Sequence, residues 1–278
     1  MSTDTHQSES PLYSPNEKIR LSEYVLAIRP KLGFYALFGV LTFMFYFRED
    51  VSWPCIGAGS IAALLTSAIM VWNDYFDREH DVQKGRTLAH RDPRAFLIYV
   101  GLIWGTSLTG IGVVSWDNRA AGLVLVAMAV IGWLYGWFRT VPFMSGMAVA
   151  LSFGGLVPLA ASYAPGIEPG RVWLLFICVT AMAYGRETIA DLDDIEIDQA
   201  YKATLPVMVG EVRARWFVRT CTVLSIGLAC YVTPWTCLFL PFTAWVLFET
   251  TREQLAFSKI QKIYDVQSVG FMLLLPWA

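Results

Sequence analysis

Along the chain, long apolar runs alternate with short polar connections, and within the runs there is no strict apolar–polar alternation. A membrane-crossing helix needs roughly 20 mostly apolar residues. On that criterion the pattern predicts spans near residues 32–47, 53–72, 95–115, 120–138, 143–164, 171–190, 214–232 and 234–249, and a ninth, shorter one near 264–278. Runs this continuous disfavour a β-barrel, whose strands are alternating segments of about ten residues. Gly154, Gly155 and Pro158 fall inside the fifth run and predict close packing and a bend there. Residues 1–20 are polar, Ser-rich and mixed in charge, which reads as a disordered cytoplasmic tail rather than a signal or transit peptide. Residues 21–278 form the expected membrane domain.

Composition sharpens this to an all-α, polytopic helical bundle of about nine spans. The 278 residues are 55% hydrophobic and 16% charged, whereas about a quarter of an ordinary globular sequence is charged. No basic domain points to nucleic acid, so membrane lipids are the expected surroundings. The five cysteines show no Cys-x-x-Cys spacing, which argues against a zinc site or a disulfide framework. With nine spans, 18 Lys and Arg residues fall on the side of the N-terminus and only Arg48, Arg119 and Arg171 on the other. The excess of positive charge on cytoplasmic connections then places the N-terminus in the cytoplasm, with the segments that follow the second, fourth and sixth spans.

Two of those segments are strongly acidic. Asn73-Asp74-Tyr75-Phe76-Asp77-Arg78-Glu79-His80-Asp81 follows the second span, and Asp191-Leu192-Asp193-Asp194-Ile195-Glu196-Ile197-Asp198 follows the sixth. Adding 117 to Asp74, Asp77, Asp81 and Thr87 gives Asp191, Asp194, Asp198 and Thr204, the signature of two pseudo-repeated halves with one orientation in the membrane. If each helix continues through its cluster, Asp74, Asp77 and Asp81 share one face, as do Glu187, Asp191, Asp194 and Asp198. Asn73 lies just off the first face and His80 points away from it, toward solvent.

Carboxylates stacked on one face repel, so something must compensate them. Mg²⁺ is typically held by one or two carboxylates together with substrate phosphates, so two facing clusters predict Mg²⁺ around a diphosphate. The competing reading is a pair of solvated helix ends, and the matched placement in both halves favours the metal site. Arg186 and Glu187 lie one turn inside the second cluster, where burial requires pairing. Either an internal salt bridge or a substrate contact satisfies that requirement.

These residues resemble the UbiA superfamily of membrane prenyltransferases. The resemblance rests on Asn-Asp-x-x-Asp-x-x-x-Asp at 73–81 and Asp-x-x-Asp-x-x-x-Asp at 191–198, with Arg29-Pro30, Arg86-Thr87, Arg186-Glu187 and Thr204-Leu205-Pro206-Val207 around them. It implies a bundle around a central cavity open sideways to lipid, with both motifs at its cytoplasmic mouth. Asn73, Asp77 and Asp81 would be metal ligands of the first motif, with Asp74 a candidate fourth, and Asp191, Asp194 and Asp198 those of the second. Arg139, four residues after Tyr135, would bind diphosphate, with Arg86 or Lys202 on the capping loops and Arg186 as a further candidate. Tyr135 is the candidate catalytic aromatic, beside Asp77, Asp194 and Arg139. After Arg86-Thr87 the chain reads Leu88-Ala89-His90-Arg91-Asp92-Pro93-Arg94, where many relatives read Arg-Pro-Leu-x-Ser-Gly.

The implied reaction is Mg²⁺-dependent ionisation of an allylic prenyl diphosphate and transfer of the prenyl group to an aromatic or lipid-like acceptor. A terpene cyclase of the same fold is the alternative. An ion transporter is more distant, because it predicts carboxylates deep within spans.

Overall fold

The computed structural model describes residues 19–47, 50–82, 87–252 and 255–277. Residues 1–18 of the tail expected at 1–20 lie outside them, as does Arg86. In chain order the helices are α1 (Leu21–Ala27), α2 (Pro30–Tyr46), α3 (Trp53–Phe76), α4 (Arg78–Asp81), α5 (Leu88–Arg91), α6 (Pro93–Asp117), α7 (Arg119–Phe138), α8 (Met144–Gly154), α9 (Leu156–Ala161), α10 (Pro169–Asp193), α11 (Ile195–Asp198), α12 (Leu205–Val209), α13 (Glu211–Val232), α14 (Leu240–Glu249) and α15 (Phe257–Leu274).

Their starts are written in the sequence. Ser52, Asp92 and Asn118 accept backbone N–H groups of the first turns of α3, α6 and α7, satisfying donors that have no partner within a helix. Pro30, Pro93 and Pro169 sit in the first turn, where their missing N–H costs nothing. Within the fifth run the helix is interrupted at Gly155, between α8 and α9. There a Cβ on Gly155 would lie 3.1 Å from Met128.

Each long helix packs on the next, α2 on α3, α3 on α6, α6 on α7, α7 on α8, α8 on α10, α10 on α13 and so through α14 to α15, which returns to α2. The helices thus close a ring, and α9 fills its middle by touching α2, α7 and α10. Outward faces are apolar: Ile98, Leu102, Val113, Leu123 and Val130 on α6 and α7 are exposed, as lipid contact requires and water would not tolerate at this extent.

Helix length and composition do not by themselves reach the expected nine spans. Helices occupy all nine predicted windows, but among the described residues only five segments are long and apolar enough to cross a membrane. A sixth results if α1 and α2, bent by 41° at Ile28–Arg29, count as one. The window at 234–249 is broken by a 3-10 turn, Pro234–Phe239, before α14. The last helix starts at Phe257, seven residues earlier than expected, because Lys259, Lys262 and Asp265 mask its beginning in a hydropathy reading.

The repeat survives as backbone geometry. α3 ends at Phe76 and α10 at Asp193, which are 117 residues apart, and so do α4 and α11 begin and end. The hinge between them is Asp77 in one half, with φ −86° and ψ 0°, and Asp194 in the other, with φ −97° and ψ 6°. The helices therefore do not run straight through the clusters as the same-face reading assumed. Each opens at one Asp and restarts for a single turn that buries its last residue, Asp81 or Asp198.

Candidate active site

The hinge carboxylates are held by backbone bonds that match across the halves. Asp77 N–H donates to the Asn73 carbonyl at 2.9 Å, and Asp81 N–H to the Asp77 carbonyl at 2.8 Å. Asp194 and Asp198 repeat this with Ala190 at 3.2 Å and Asp194 at 2.9 Å. Asp77, Asp81 and Asp198 are buried, while Asp191 and Asp194 are half-buried.

Burying like charges requires cations, and the fold brings them from three directions. Arg139, at the end of α7, ion-pairs Asp77 Oδ1. Lys202, just beyond the second cluster, reaches Asp77 Oδ2 at 3.5 Å and Asp198 Oδ1 at 3.6 Å. A second-half lysine thus neutralises a first-half carboxylate. Burial pulls the Lys202 pKa down, but Asp77, Asp198 and Asp191 outweigh it and hold the ammonium above the ordinary lysine range. The third cation, Arg29, donates to Asp74 Oδ1 at 2.6 Å. Arg29 has φ 48°, a left-handed conformation that is uncommon outside glycine, and it directly precedes Pro30.

Of the remaining candidates, Arg186 bonds Glu187 at 2.9 Å and Asp265 of α15 at 3.0 Å, and Asp265 also takes Lys31 of α2 at 2.6 Å. Of the two roles its position allowed, Arg186 fills the internal salt bridge, tying α10 to α15 and α2. Tyr135 is half-buried and lines an apolar cleft with Thr66, Ile69, Met70, Ala148 and Phe153. Small residues permit close packing here: a Cβ on Gly132, which lines the cleft, would run into the Ile69 side chain, and outside the cleft one on Gly136 would meet the Phe76 ring at 2.5 Å and one on Gly146 the Tyr184 ring at 2.7 Å.

Whether the residues suit Mg²⁺ follows from the donor set. Among the described residues no three Asp, Glu, His or Cys side chains gather into a self-sufficient metal site. A Mg²⁺ ion held by one or two carboxylates and substrate phosphates does not need such a cluster. Asn73 Oδ1, a neutral hard oxygen at the edge of the first cluster, is buried and accepts no hydrogen bond from the described residues. The donors therefore fit a hard cation shared with a phosphorylated ligand.

Three residues escaped the sequence reading. Tyr201 gave no signal, and Asp265 is a single acidic residue in an otherwise ordinary helix. His80, expected in solvent, stacks on Tyr201 at 3.5 Å with the rings 4° from parallel.

This arrangement has counterparts. The model of the UbiA prenyltransferase family matches residues 33–252. The chain belongs to that family. As a UbiA-family chain with several long apolar helices, it is an integral membrane protein. It is 30% identical over 162 residues to the digeranylgeranylglyceryl phosphate synthase of Thermococcus kodakarensis, covering 55% of this chain and 56% of that one. It is 27% identical over 141 residues to the 4-hydroxybenzoate octaprenyltransferase of Pectobacterium atrosepticum, covering 47% and 48%. The chain thus spans about half the length of these curated relatives. A UbiA homologue from Archaeoglobus fulgidus, solved bound to GPP and Mg²⁺, shares the fold over 91% of this chain and 98% of its own, with a TM-score of 0.69 at 18% identity.

Proposed function

We propose that this UbiA-family chain ionises an allylic prenyl diphosphate with the help of Mg²⁺ and transfers the prenyl group to an aromatic or lipid-like acceptor, releasing diphosphate. The observation that carries this reading is the bridge in which buried Asp77 is shared by Arg139 and Lys202 beside the apolar cleft under Tyr135. A charge-rich cluster at Asp77 and an apolar cleft lined by Tyr135, whose electrostatic neighbours include Asp77 and Asp191, suit a substrate with a diphosphate head and a hydrocarbon tail.

Within that reading, Arg139 and Lys202 stabilise the charge that develops on the leaving diphosphate. Asn73, Asp77, Asp81, Asp191, Asp194 and Asp198, with Asp74 beside Arg29 as a further candidate, are the oxygens from which Mg²⁺ would draw its protein ligands, the diphosphate completing its shell. Mg²⁺, when bound, supplies Lewis-acid neutralisation of the diphosphate oxygens. The cleft excludes water from the allylic cation, and the Tyr135 ring offers it a π face. Arg86, by its place in the sequence motif after Asp81, is a further diphosphate partner. The mouth faces the cytoplasm on the charge distribution described above.

The relatives support the proposal: one is named a digeranylgeranylglyceryl phosphate synthase, another a 4-hydroxybenzoate octaprenyltransferase, and the A. fulgidus homologue was solved with GPP and Mg²⁺. Their names also supply acceptors of both kinds, a glyceryl phosphate lipid and 4-hydroxybenzoate. The test is incubation of the purified protein with labelled prenyl diphosphates and Mg²⁺, with and without each acceptor. Prenylated acceptor is the expected product. Hydrocarbon release without any acceptor would replace transfer by cyclisation.

A further inference from the structure

We propose that His80 and Tyr201 form a stacked clasp that joins the two repeats over the acidic site, and that the Tyr201 ring positions Arg139 and Lys202 for a diphosphate; the positioning role rests on the prenyl-diphosphate reading above. His80 belongs to α4, the turn that follows the first hinge carboxylate, and Tyr201 comes three residues after Asp198 in the second repeat. Their rings lie face to face, with centroids 3.5 Å apart and planes 4° from parallel.

The same Tyr201 ring lies 5.4 Å from the Arg139 guanidinium and 5.2 Å from the Lys202 ammonium. Both distances are inside the roughly 6 Å range of cation–π attraction. These are the two cations that share Asp77. The backbone fixes the ring from both sides: Tyr201 N–H donates to the Asp198 carbonyl at 3.0 Å, and Ala203 N–H to the Arg139 carbonyl at 2.7 Å.

The chemistry of a π face suits this place. Long Arg and Lys side chains lose rotamer freedom when held, and a carboxylate beyond Asp77 and Asp198 would hold them only by consuming further N–H donors. An aromatic face attracts the charge and leaves the donors free for phosphate oxygens. His80, by stacking on that face, removes the freedom of the Tyr201 ring to swing away. The clasp also couples the halves, so the cations stay over the site while they pass from Asp77 to an incoming diphosphate.

The test uses the full chain in detergent, titrated with Mg²⁺ and inorganic diphosphate, and the KM and kcat for prenyl diphosphate. Tyr201→Leu is expected to weaken diphosphate binding about 5- to 30-fold and to raise KM in step with little change in kcat. Tyr201→Phe, which keeps the ring, should stay within about twofold, and His80→Phe should restore most of what His80→Ala loses. Equal weakening by Tyr201→Phe and Tyr201→Leu, or no weakening by Tyr201→Leu, overturns the positioning role.

A thermal-unfolding cycle of His80→Ala, Tyr201→Leu and the double variant reads the clasp without any ligand. A non-additive cycle supports it, and strict additivity overturns it. Absence of diphosphate binding in the unmodified protein, with a non-additive cycle, overturns the substrate reading and the positioning role while the clasp stands.

Discussion

Replacing Asp77 by Asn removes the carboxylate that Arg139 and Lys202 share while keeping its shape. The side chains are 2%, 10% and 13% exposed, so solvent screens the bridge little. At the 3.5 Å separation of Lys202 from Asp77, the gross attraction of one charge pair is about 5 kcal/mol at an effective dielectric of about 20. Most of that is offset by desolvation, and a hydrogen bond to a charged group retains about 1.5–3 kcal/mol net. In the resting site Asp77 competes with diphosphate for the same two cations. Asp77→Asn should therefore bind inorganic diphosphate more tightly in EDTA, by about 10-fold or more.

Turnover should move the other way and fall about 10²- to 10³-fold, as when one preorganised electrostatic group is lost. Stability should fall too, since removing one partner of a buried pair costs about 3–5 kcal/mol of a total of about 5–15 kcal/mol, which leaves a folded protein in the cold. Calorimetric titration in EDTA and product formation with Mg²⁺ read the two effects separately. Turnover within tenfold of the unmodified protein, or weaker binding in EDTA, would refute the reasoning.

Three further outcomes are expected. Arg186→Gln should lower the melting temperature by loosening α10 from α15, yet leave the diphosphate Kd within about threefold; a larger loss would return Arg186 to the diphosphate site. Gly146→Ala puts a Cβ 2.7 Å from the Tyr184 ring, whose hydroxyl is anchored on the Phe143 carbonyl at 3.0 Å. Overpacking of this kind costs about 1–3 kcal/mol, so both melting temperature and rate should drop, and an unchanged pair of values would contradict the tight contact. EDTA should stop turnover and added Mg²⁺ restore it, whereas full activity in EDTA would remove the metal from the mechanism.

Much of this was legible before any coordinates. The apolar runs placed the helices, and the offset of 117 between Asp77 and Asp194 paired the two acidic clusters. Arg139 and Lys202 stood near the site by their place after α7 and α11. The hinges themselves were not legible, because one residue with ψ near 0° leaves no trace in a hydropathy pattern. Nor was the His80–Tyr201 stack, since a histidine beside an acidic run and an isolated tyrosine have no period or motif to link them across the two halves. The late helices were misjudged for a different reason. In α15 the charges Lys259, Lys262 and Asp265 sit in a helix whose other faces are packed, so mean hydropathy undervalues its length.

The most direct measurement is a structure of the full chain with Mg²⁺ and a non-reactive prenyl thiodiphosphate. The diphosphate is expected within hydrogen-bond reach of Arg139 and Lys202, between the Asp77 and Asp194 hinges, with the prenyl chain along the Tyr135 cleft. A diphosphate bound away from both cations, or a prenyl chain outside that cleft, would contradict the central claim.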